Sequence, residues 1–222
     1  MEARLTKIDR AEMLRYLMWH GAEIPEDVEA ALNRGEERIL RLAQPRAVWR
    51  VFDYRPGEAL GGTDFCPAGE DLKVFLKDCD QVILLAATLG AEPDLLQKRL
   101  RLQDMSEAVI LDAAGSAAVE NVCDNLCEDL AAQFAPRCLT ERFSPGYGDF
   151  PLEQQRWFFR LLDMPRRLGV SLTETNLMLP QKTVTAVVGI SDLPQKKRES
   201  SCESCLMQGN CAFQKEGRRC GK

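Results

Sequence analysis

A chain of 222 residues, 45% hydrophobic and 28% charged, has the composition of an ordinary globular protein, long enough for one domain with an appendage. Its formal net charge of −5 argues against general nucleic-acid binding, which needs a basic face. The longest apolar run, 82–87, is too short to cross a membrane, and the N-terminus lacks the apolar stretch of a secretory signal. We therefore expect a cytoplasmic protein with neither nucleic acid nor membrane as a partner.

The first 45 residues or so are predicted to be helical. Asp9 followed by Glu12 is typical of a capped helix start, and Gly21 is well placed to end that helix. A second helix is expected to begin at Pro25 and to end at Pro45, since proline suits the first turn of a helix and interrupts its interior.

The rest of the chain mixes predicted strands and helices without regular alternation. Segments predicted to be strands are 47–54, 81–88, 170–173 and 183–190. The second of these is continuously apolar, which is typical of a strand covered on both faces. Helices are predicted over 71–78, 104–135 and 152–164, the last broken by Pro165. This order indicates an α+β fold with a mixed or antiparallel sheet.

The most unusual segment is 142–151, which reads Arg-Phe-Ser-Pro-Gly-Tyr-Gly-Asp-Phe-Pro. Pro145–Gly146 suits the centre of a type II turn, where glycine supplies the positive φ. Gly148 permits a close approach of the backbone to another group. We interpret the segment as a stiff loop that presents backbone amides, the Arg142 guanidinium and the Tyr147 phenol to a small polar ligand. A purely structural turn is the alternative.

Two patterns on the predicted long helix allow more than one interpretation. Glu120, Asp124 and Glu128 recur at four-residue spacing, away from the apolar stripe. Such a row is usually a solvated face, and the alternative is a negative wall facing a cationic ligand. Cys123 and Cys127 could share a metal, but we interpret them as small buried side chains.

Composition divides the chain into three predicted parts: a folded domain over 1–192, a linker over 193–201 and a cysteine-rich tail over 202–222. Four cysteines without a competing histidine lie at short spacings in the tail, namely Cys202, Cys205, Cys211 and Cys220. Because thiolates select zinc or iron–sulfur clusters, the tail is predicted to bind a metal.

The segment around the loop resembles a known family. Arg142-x-Ser144-Pro-Gly146-Tyr147-x-x-x-Pro151 is similar to the loop that binds S-adenosyl-L-methionine (AdoMet) in the reactivation domain of cobalamin-dependent methionine synthase. Leu-Thr-Glu-Thr at 172–175 and Thr-Val-Thr at 183–185 keep the family's order and approximate spacing. With Leu-Gly-Gly-Thr at 60–63 and Ala-Ala-Thr-Leu-Gly at 86–90, the whole chain resembles stand-alone versions of that domain.

The resemblance implies both a fold and a function. The implied fold is α+β, with a central, mostly antiparallel twisted sheet of about five strands flanked by helices, and a helical N-terminus. The implied function is that of an accessory subunit for a methyltransferase. Its partner would be a cobalamin-binding methionine synthase that lacks its own activation domain. On that partner, a one-electron donor would reduce cob(II)alamin to the Co(I) state. AdoMet bound by this chain would then methylate the Co(I) form to methylcobalamin.

The resemblance also assigns roles to residues, none of them catalytic. Arg142 is expected to clamp the AdoMet carboxylate, Ser144 and Gly146 to bind through their backbone, and Tyr147 to bind the methionyl part. Glu120 is expected to supply negative charge near the cationic ligand.

Two further expectations concern the tail and the competing function. The need for a one-electron donor favours a 4Fe–4S cluster over zinc at the tail cysteines. The alternative function is a non-catalytic metal-binding adaptor or an electron-transfer protein for a corrinoid protein.

Overall fold

The computed structural model describes residues 3–19 and 23–194. The helices are α1 (Arg10–Tyr16), α2 (Glu26–Leu42), α3 (Glu70–Phe75), α4 (Glu92–Gln103), α5 (Met105–Phe134), α6 (Gln155–Leu162) and α7 (Met164–Leu168), and a 3₁₀ turn over Leu152–Gln154 precedes α6. The strands are β1 (Arg46–Asp53), β2 (Gln81–Thr88), β3 (Cys138–Leu139), β4 (Ser171–Leu172), β5 (Met178–Leu179) and β6 (Thr183–Ser191). Gly21, most of the predicted linker and the tail cysteines lie outside the described residues.

The main sheet has four antiparallel strands in the order β1-β2-β6-β3. Strand β2 is central, and every position after Gln81 is buried, so its apolar run was correctly interpreted as a strand covered on both faces. The sheet has four strands where about five were expected. The segment predicted as a strand at 170–173 pairs instead with β5 as a separate ribbon. Asn176 has a φ of 62° in the tight turn that joins the two.

Each face of the main sheet carries its own hydrophobic core. Residues of α1, α2 and α5 pack on one face, and residues of α3, α6 and α7 pack on the other. Along β1, Ala47 belongs to the first core, whereas Val48 and Phe52 belong to the second, as the two-residue period of a strand requires. Among the described helices, none combines the length and the apolar character needed to cross a bilayer.

Both ends of the long predicted helix are close to their expected positions. Asp104 caps α5 by accepting a hydrogen bond from the backbone N–H of Glu107 at 3.1 Å, and the helix continues to Phe134. Asp9 likewise caps α1 by accepting from the N–H groups of Ala11 and Glu12. These polar caps satisfy donors that the first turn of a helix leaves unpaired.

The helix predicted over 152–164 is shorter and ends for a different reason. It begins with a 3₁₀ turn, and α6 stops at Leu162 because Asp163 adopts the left-handed conformation, with a φ of 51° and a ψ of 47°. The prediction that Pro165 breaks the helix was wrong. Pro165 lies in the first turn of α7, where the missing N–H of proline costs nothing.

Candidate functional site

A cleft of about 670 Å³ lies between α5, the chain that leaves β3, and β6. Its volume is within the usual range for sites that bind small molecules. The residues that line it are Glu120, Asp124, Cys127, Glu128, Ala131, Leu139, Thr140, Glu141, Arg142, Ser144, Tyr147 and Val184. Four of these residues carry a carboxylate and one carries a guanidinium, so the cleft suits a ligand that carries positive charge.

The chain between β3 and the loop is fixed along β6 on both sides of Arg142. Thr140 donates its N–H to the Gly189 carbonyl at 3.0 Å, and its hydroxyl accepts from the Gly189 N–H at 2.8 Å. Phe143 and Val187 exchange two backbone hydrogen bonds of 2.9 and 2.8 Å. Because its neighbours are held in extended pairing, Arg142 has little freedom to leave the cleft.

The loop after Phe143 closes on itself as a turn. The N–H of Tyr147 donates to the Ser144 carbonyl at 3.1 Å, and Gly146 has a φ of 92°. This is the positive φ predicted for a type II turn at Pro145–Gly146. Gly146 then donates its own N–H to the Phe150 carbonyl at 2.8 Å, so that amide is engaged within the loop.

Aromatic anchors hold the loop against the second core. Phe143 and Phe150 are both buried, and their ring centroids are 6.2 Å apart. Phe143 also contacts Phe75 of α3, at 5.2 Å between centroids. Burial of two phenylalanine side chains contributes roughly 1.5–3 kcal/mol each, which explains how a short glycine-containing loop stays in one conformation.

Polar contacts fasten the tip of the same loop to the start of α3. The Asp149 carboxylate accepts from the N–H of Glu70 at 2.7 Å and from the N–H of Asp71 at 3.1 Å. It thereby supplies the cap that Gly69 cannot provide. At Gly148 a Cβ would clash with the Asp71 carboxylate, so the close approach predicted for this glycine is to a helix.

Arg142 forms the electrostatic centre of the cleft. Its Nη2 donates to Glu120 Oε2 and its Nη1 to Asp124 Oδ1, each at 2.6 Å, and its side chain is 20% exposed. Burial lowers the pKa of Arg142, but the carboxylates of Glu120 and Asp124 raise it by more, so the net pKa lies above its usual value. The guanidinium therefore remains a cation held by two carboxylates of α5.

No family model and no curated protein matches this sequence. One solved structure that does match is described as "Crystal Structure of the MetH Reactivation Domain bound to AdoHcy". The likeness has a TM-score of 0.61 at 17% identity and covers 96% of this chain and 82% of that chain. The chain has a reactivation-domain-like fold. The α+β class that the sequence predicted, with an antiparallel sheet and a helical N-terminus, is confirmed.

Within this reactivation-domain-like fold, four of the five residues predicted to bind AdoMet line one cleft: Glu120, Arg142, Ser144 and Tyr147. Gly146 shapes the turn and is not part of the cleft wall. Asp124, which pairs directly with Arg142, was named only as a member of the acidic row and was not assigned to the AdoMet site. Its four-residue spacing from Glu120 was the available signal. Nothing in the sequence marked Thr140, because it reaches the cleft through pairing with a strand far along the chain.

The cysteines of the described domain occupy different environments. Cys123 is buried and Cys127 half-buried on α5, and burial raises the pKa of both thiols, which keeps them neutral. Cys66 is exposed. Within residues 3–19 and 23–194, no cluster of three or more His, Cys, Asp or Glu residues could hold a metal ion.

Proposed function

We propose that this protein binds AdoMet in the cleft between α5 and β6 and serves as an accessory subunit for the reductive reactivation of a cobalamin-dependent methionine synthase. One observation carries the proposal. Four residues that the family resemblance marks for AdoMet line a single cleft, in a chain whose fold is that of a domain solved with AdoHcy. AdoHcy differs from AdoMet by the transferable methyl group and the sulfonium charge.

The chemistry of the cleft suits AdoMet. The ligand carries two positive groups, the sulfonium and the ammonium, and one negative carboxylate. The cleft offers the opposite balance, with Glu120, Asp124, Glu128 and Glu141 against the single guanidinium of Arg142. Opposite charges a few ångströms apart in a partly enclosed site attract more strongly than in water.

Each residue has a defined part in the proposed complex. Arg142 binds the ligand carboxylate, which competes for the guanidinium with its partners in the free protein, Glu120 and Asp124. Glu120, once relieved of part of that pairing, faces the positive end of the ligand. Tyr147, which is 63% exposed, closes over the methionyl part, and Ser144 contributes backbone groups at the mouth of the turn. Bound AdoMet supplies an activated methyl group to cobalamin held by the partner protein.

The proposed partner is a cobalamin-binding methionine synthase without its own activation domain. The reaction also requires a one-electron donor. We propose that the tail cysteines bind a metal group that takes part in supplying this electron, and these cysteines are Cys202, Cys205, Cys211 and Cys220. A 4Fe–4S cluster suits this role better than zinc, which has no redox chemistry. This part of the proposal is supported by the sequence alone, because the tail lies outside the described residues.

The central test is calorimetric titration of AdoMet into the full-length protein and its Arg142→Ala variant. Loss of a charge-assisted hydrogen bond costs about 1.5–3 kcal/mol, so we expect the dissociation constant to rise about tenfold or more. Glu120→Gln should also weaken AdoMet binding, while affecting AdoHcy less because AdoHcy has no sulfonium. Circular dichroism of each variant checks that the fold is retained.

Arg137→Ala is the matched control. Arg137 is also held by two carboxylates, Asp80 and Asp192, and its side chain is 24% exposed, but it does not line the cleft. Absence of AdoMet binding by the wild type, or equal binding after Arg142→Ala, would contradict the proposed site. If AdoMet binds as expected, a Co(II)-state partner mixed with a reductant and AdoMet should then form methylcobalamin only when this protein is present.

A further inference from the structure

A second cavity, of about 380 Å³, opens on the opposite edge of the main sheet from the cleft. Arg50 of the edge strand β1 forms one wall, and the turn at residues 62–64 forms the next. The third wall is α6, through Trp157, Arg160 and Leu161. The proposed AdoMet site uses none of these residues.

Both arginines of this cavity are exposed residues, and each lies over an aromatic ring. The guanidinium carbon of Arg50 lies 4.9 Å from the centroid of the Phe52 ring, and that of Arg160 lies 5.4 Å from the centroid of Trp157. Trp157 in turn stacks on Phe65 at 5.3 Å with an interplanar angle of 18°. Cation–π contacts of this kind restrict a long side chain without neutralising its charge.

The charges of these two arginines are uncompensated by direct ion pairs. In the part of the chain that the structure describes, neither Arg50 nor Arg160 has a carboxylate within ion-pair distance, unlike the tightly paired Arg142. Among the described residues that line the cavity, Asp64 is the single carboxylate. The cavity is therefore a positive site on a protein whose overall charge is −5.

The turn that forms the second wall is internally fixed and sterically open. The Thr63 hydroxyl donates to the Leu60 carbonyl at 2.8 Å and accepts from the Phe65 N–H at 3.1 Å. Gly62 has a φ of 73°, and a Cβ there would meet nothing within 4 Å. This turn overlaps the Leu-Gly-Gly-Thr segment at 60–63, none of whose residues lines the cleft.

We propose that this cavity binds the phosphate group of a small phosphorylated molecule. Two planar guanidinium forks on separate elements can divide the oxygens of one phosphate between them, and arginine is the side chain best suited to such bidentate contacts. The cavity volume is at the lower end of the range for small-molecule sites, which fits a compact ligand. The inference does not depend on AdoMet binding, since the two sites share no residue.

The test is a titration of the full-length protein with inorganic phosphate at constant ionic strength, followed by NMR. We expect saturable shifts of the side-chain Nε signals of Arg50 and Arg160 and of the amides of residues 62–64. Acetate should bind more weakly because it has fewer oxygens and less charge. A second titration uses glycerol 3-phosphate. If it binds more tightly than inorganic phosphate, the ligand of the cavity is a phosphomonoester, and if the two bind equally, the ligand is the phosphate ion itself.

Variants of the cavity give opposite expected results. The Arg50→Gln/Arg160→Gln double variant should raise the phosphate dissociation constant about tenfold or more. Asp64→Asn should lower it, because a like charge is removed. Arg55→Gln is the control, since Arg55 pairs with Glu58 outside the cavity. Shifts that do not saturate, that persist unchanged in the double variant, or that acetate reproduces equally would overturn the proposal.

Discussion

Gly148 meets two separate constraints in the loop that borders the cleft. Its φ of 53° lies in the left-handed region, and a Cβ at this position would clash with the Asp71 carboxylate on α3. A side chain here would therefore strain the backbone and push the loop away from the helix that anchors it. The sequence indicated a close approach at this glycine, but the partner is a helix rather than a ligand.

Gly148→Ala is expected to destabilise the protein through both constraints. A left-handed conformation costs an alanine about 1–2 kcal/mol, and the clash adds about 1 kcal/mol or more. Urea unfolding measures the sum. Gly57→Ala is the control, since Gly57 has a φ of 80° but nothing within 4 Å of a Cβ. Equal losses of unfolding free energy in the two variants would show that the contact with Asp71 contributes nothing.

At the same scale, the residues of the cleft differ in how far the sequence could predict them. Arg142, Ser144 and Tyr147 belong to one short motif whose unlike residue types stand at fixed offsets, so local sequence was sufficient. Asp124 pairs with Arg142 across 18 positions, and only its spacing from Glu120 pointed to it. Thr140 reaches the cleft through long-range strand pairing, which leaves no trace in the local sequence.

Helix α3 depends for its start on a residue almost eighty positions further along the chain. Its N-cap residue, Gly69, has no side chain, and the Asp149 carboxylate accepts the hydrogen bonds of the first turn instead. The loop beside the cleft and the helix are therefore one structural unit. This coupling means that disorder in either element spreads to the other.

Asp149→Ala should loosen both parts of this unit. Loss of a cap costs about 1 kcal/mol, which corresponds to an about fivefold larger population of the locally open state. Hydrogen exchange at the amides of Glu70 and Asp71 measures it directly, and Asp149→Asn, which keeps an acceptor, should restore much of the protection. Asp104→Ala is the control because it removes the cap of α5 instead. Unchanged exchange at Glu70 and Asp71 in Asp149→Ala would contradict the capping role.

Other elements show where local patterns predict well and where they do not. The bounds of β2 and α5 were predicted close to those observed, because the apolar pattern of each lies within the element itself. The end of α6 was predicted from Pro165, but it depends on the left-handed conformation of Asp163, which sequence patterns rarely reveal. The short ribbon of β4 and β5 likewise arises from a turn at Asn176 rather than from its own strand character.

On the scale of the whole molecule, the fold class was predictable because the overall order of apolar segments limits the possible architectures. The position of each strand in the sheet was less predictable, because local sequence patterns do not indicate which strands pair. The division into a domain over 1–192, a linker and a metal-binding tail stays a prediction. So does the assignment of the tail cysteines.

A metal analysis of the full-length protein tests that tail. Anaerobic purification is expected to give a brown protein with iron and acid-labile sulfide, and the Cys202→Ala/Cys205→Ala variant should lose both. AdoMet binding should be unchanged in that variant, because the cleft is built from residues of the folded domain. Cys66→Ala is the control, since Cys66 is an exposed cysteine of that domain.

The outcomes of that analysis separate the alternatives for the tail. Colourless protein with one zinc per chain would reject the cluster and leave the tail as a metal-binding structure. Protein without either metal would contradict metal binding by these cysteines altogether.

The sheet order also determines when this protein can fold during its synthesis. Strand β6 lies between β2 and β3 in the sheet. Because β6 is about a hundred residues further along the chain than β2, it leaves the ribosome only after those residues have been synthesised. Until then, the highly apolar β2 has one edge unpaired, which is the kind of surface that promotes aggregation of nascent chains. The helices of the N-terminal half and β1 can form early, but the sheet, the path of the chain along β6 and the cleft all wait for the last strand to emerge.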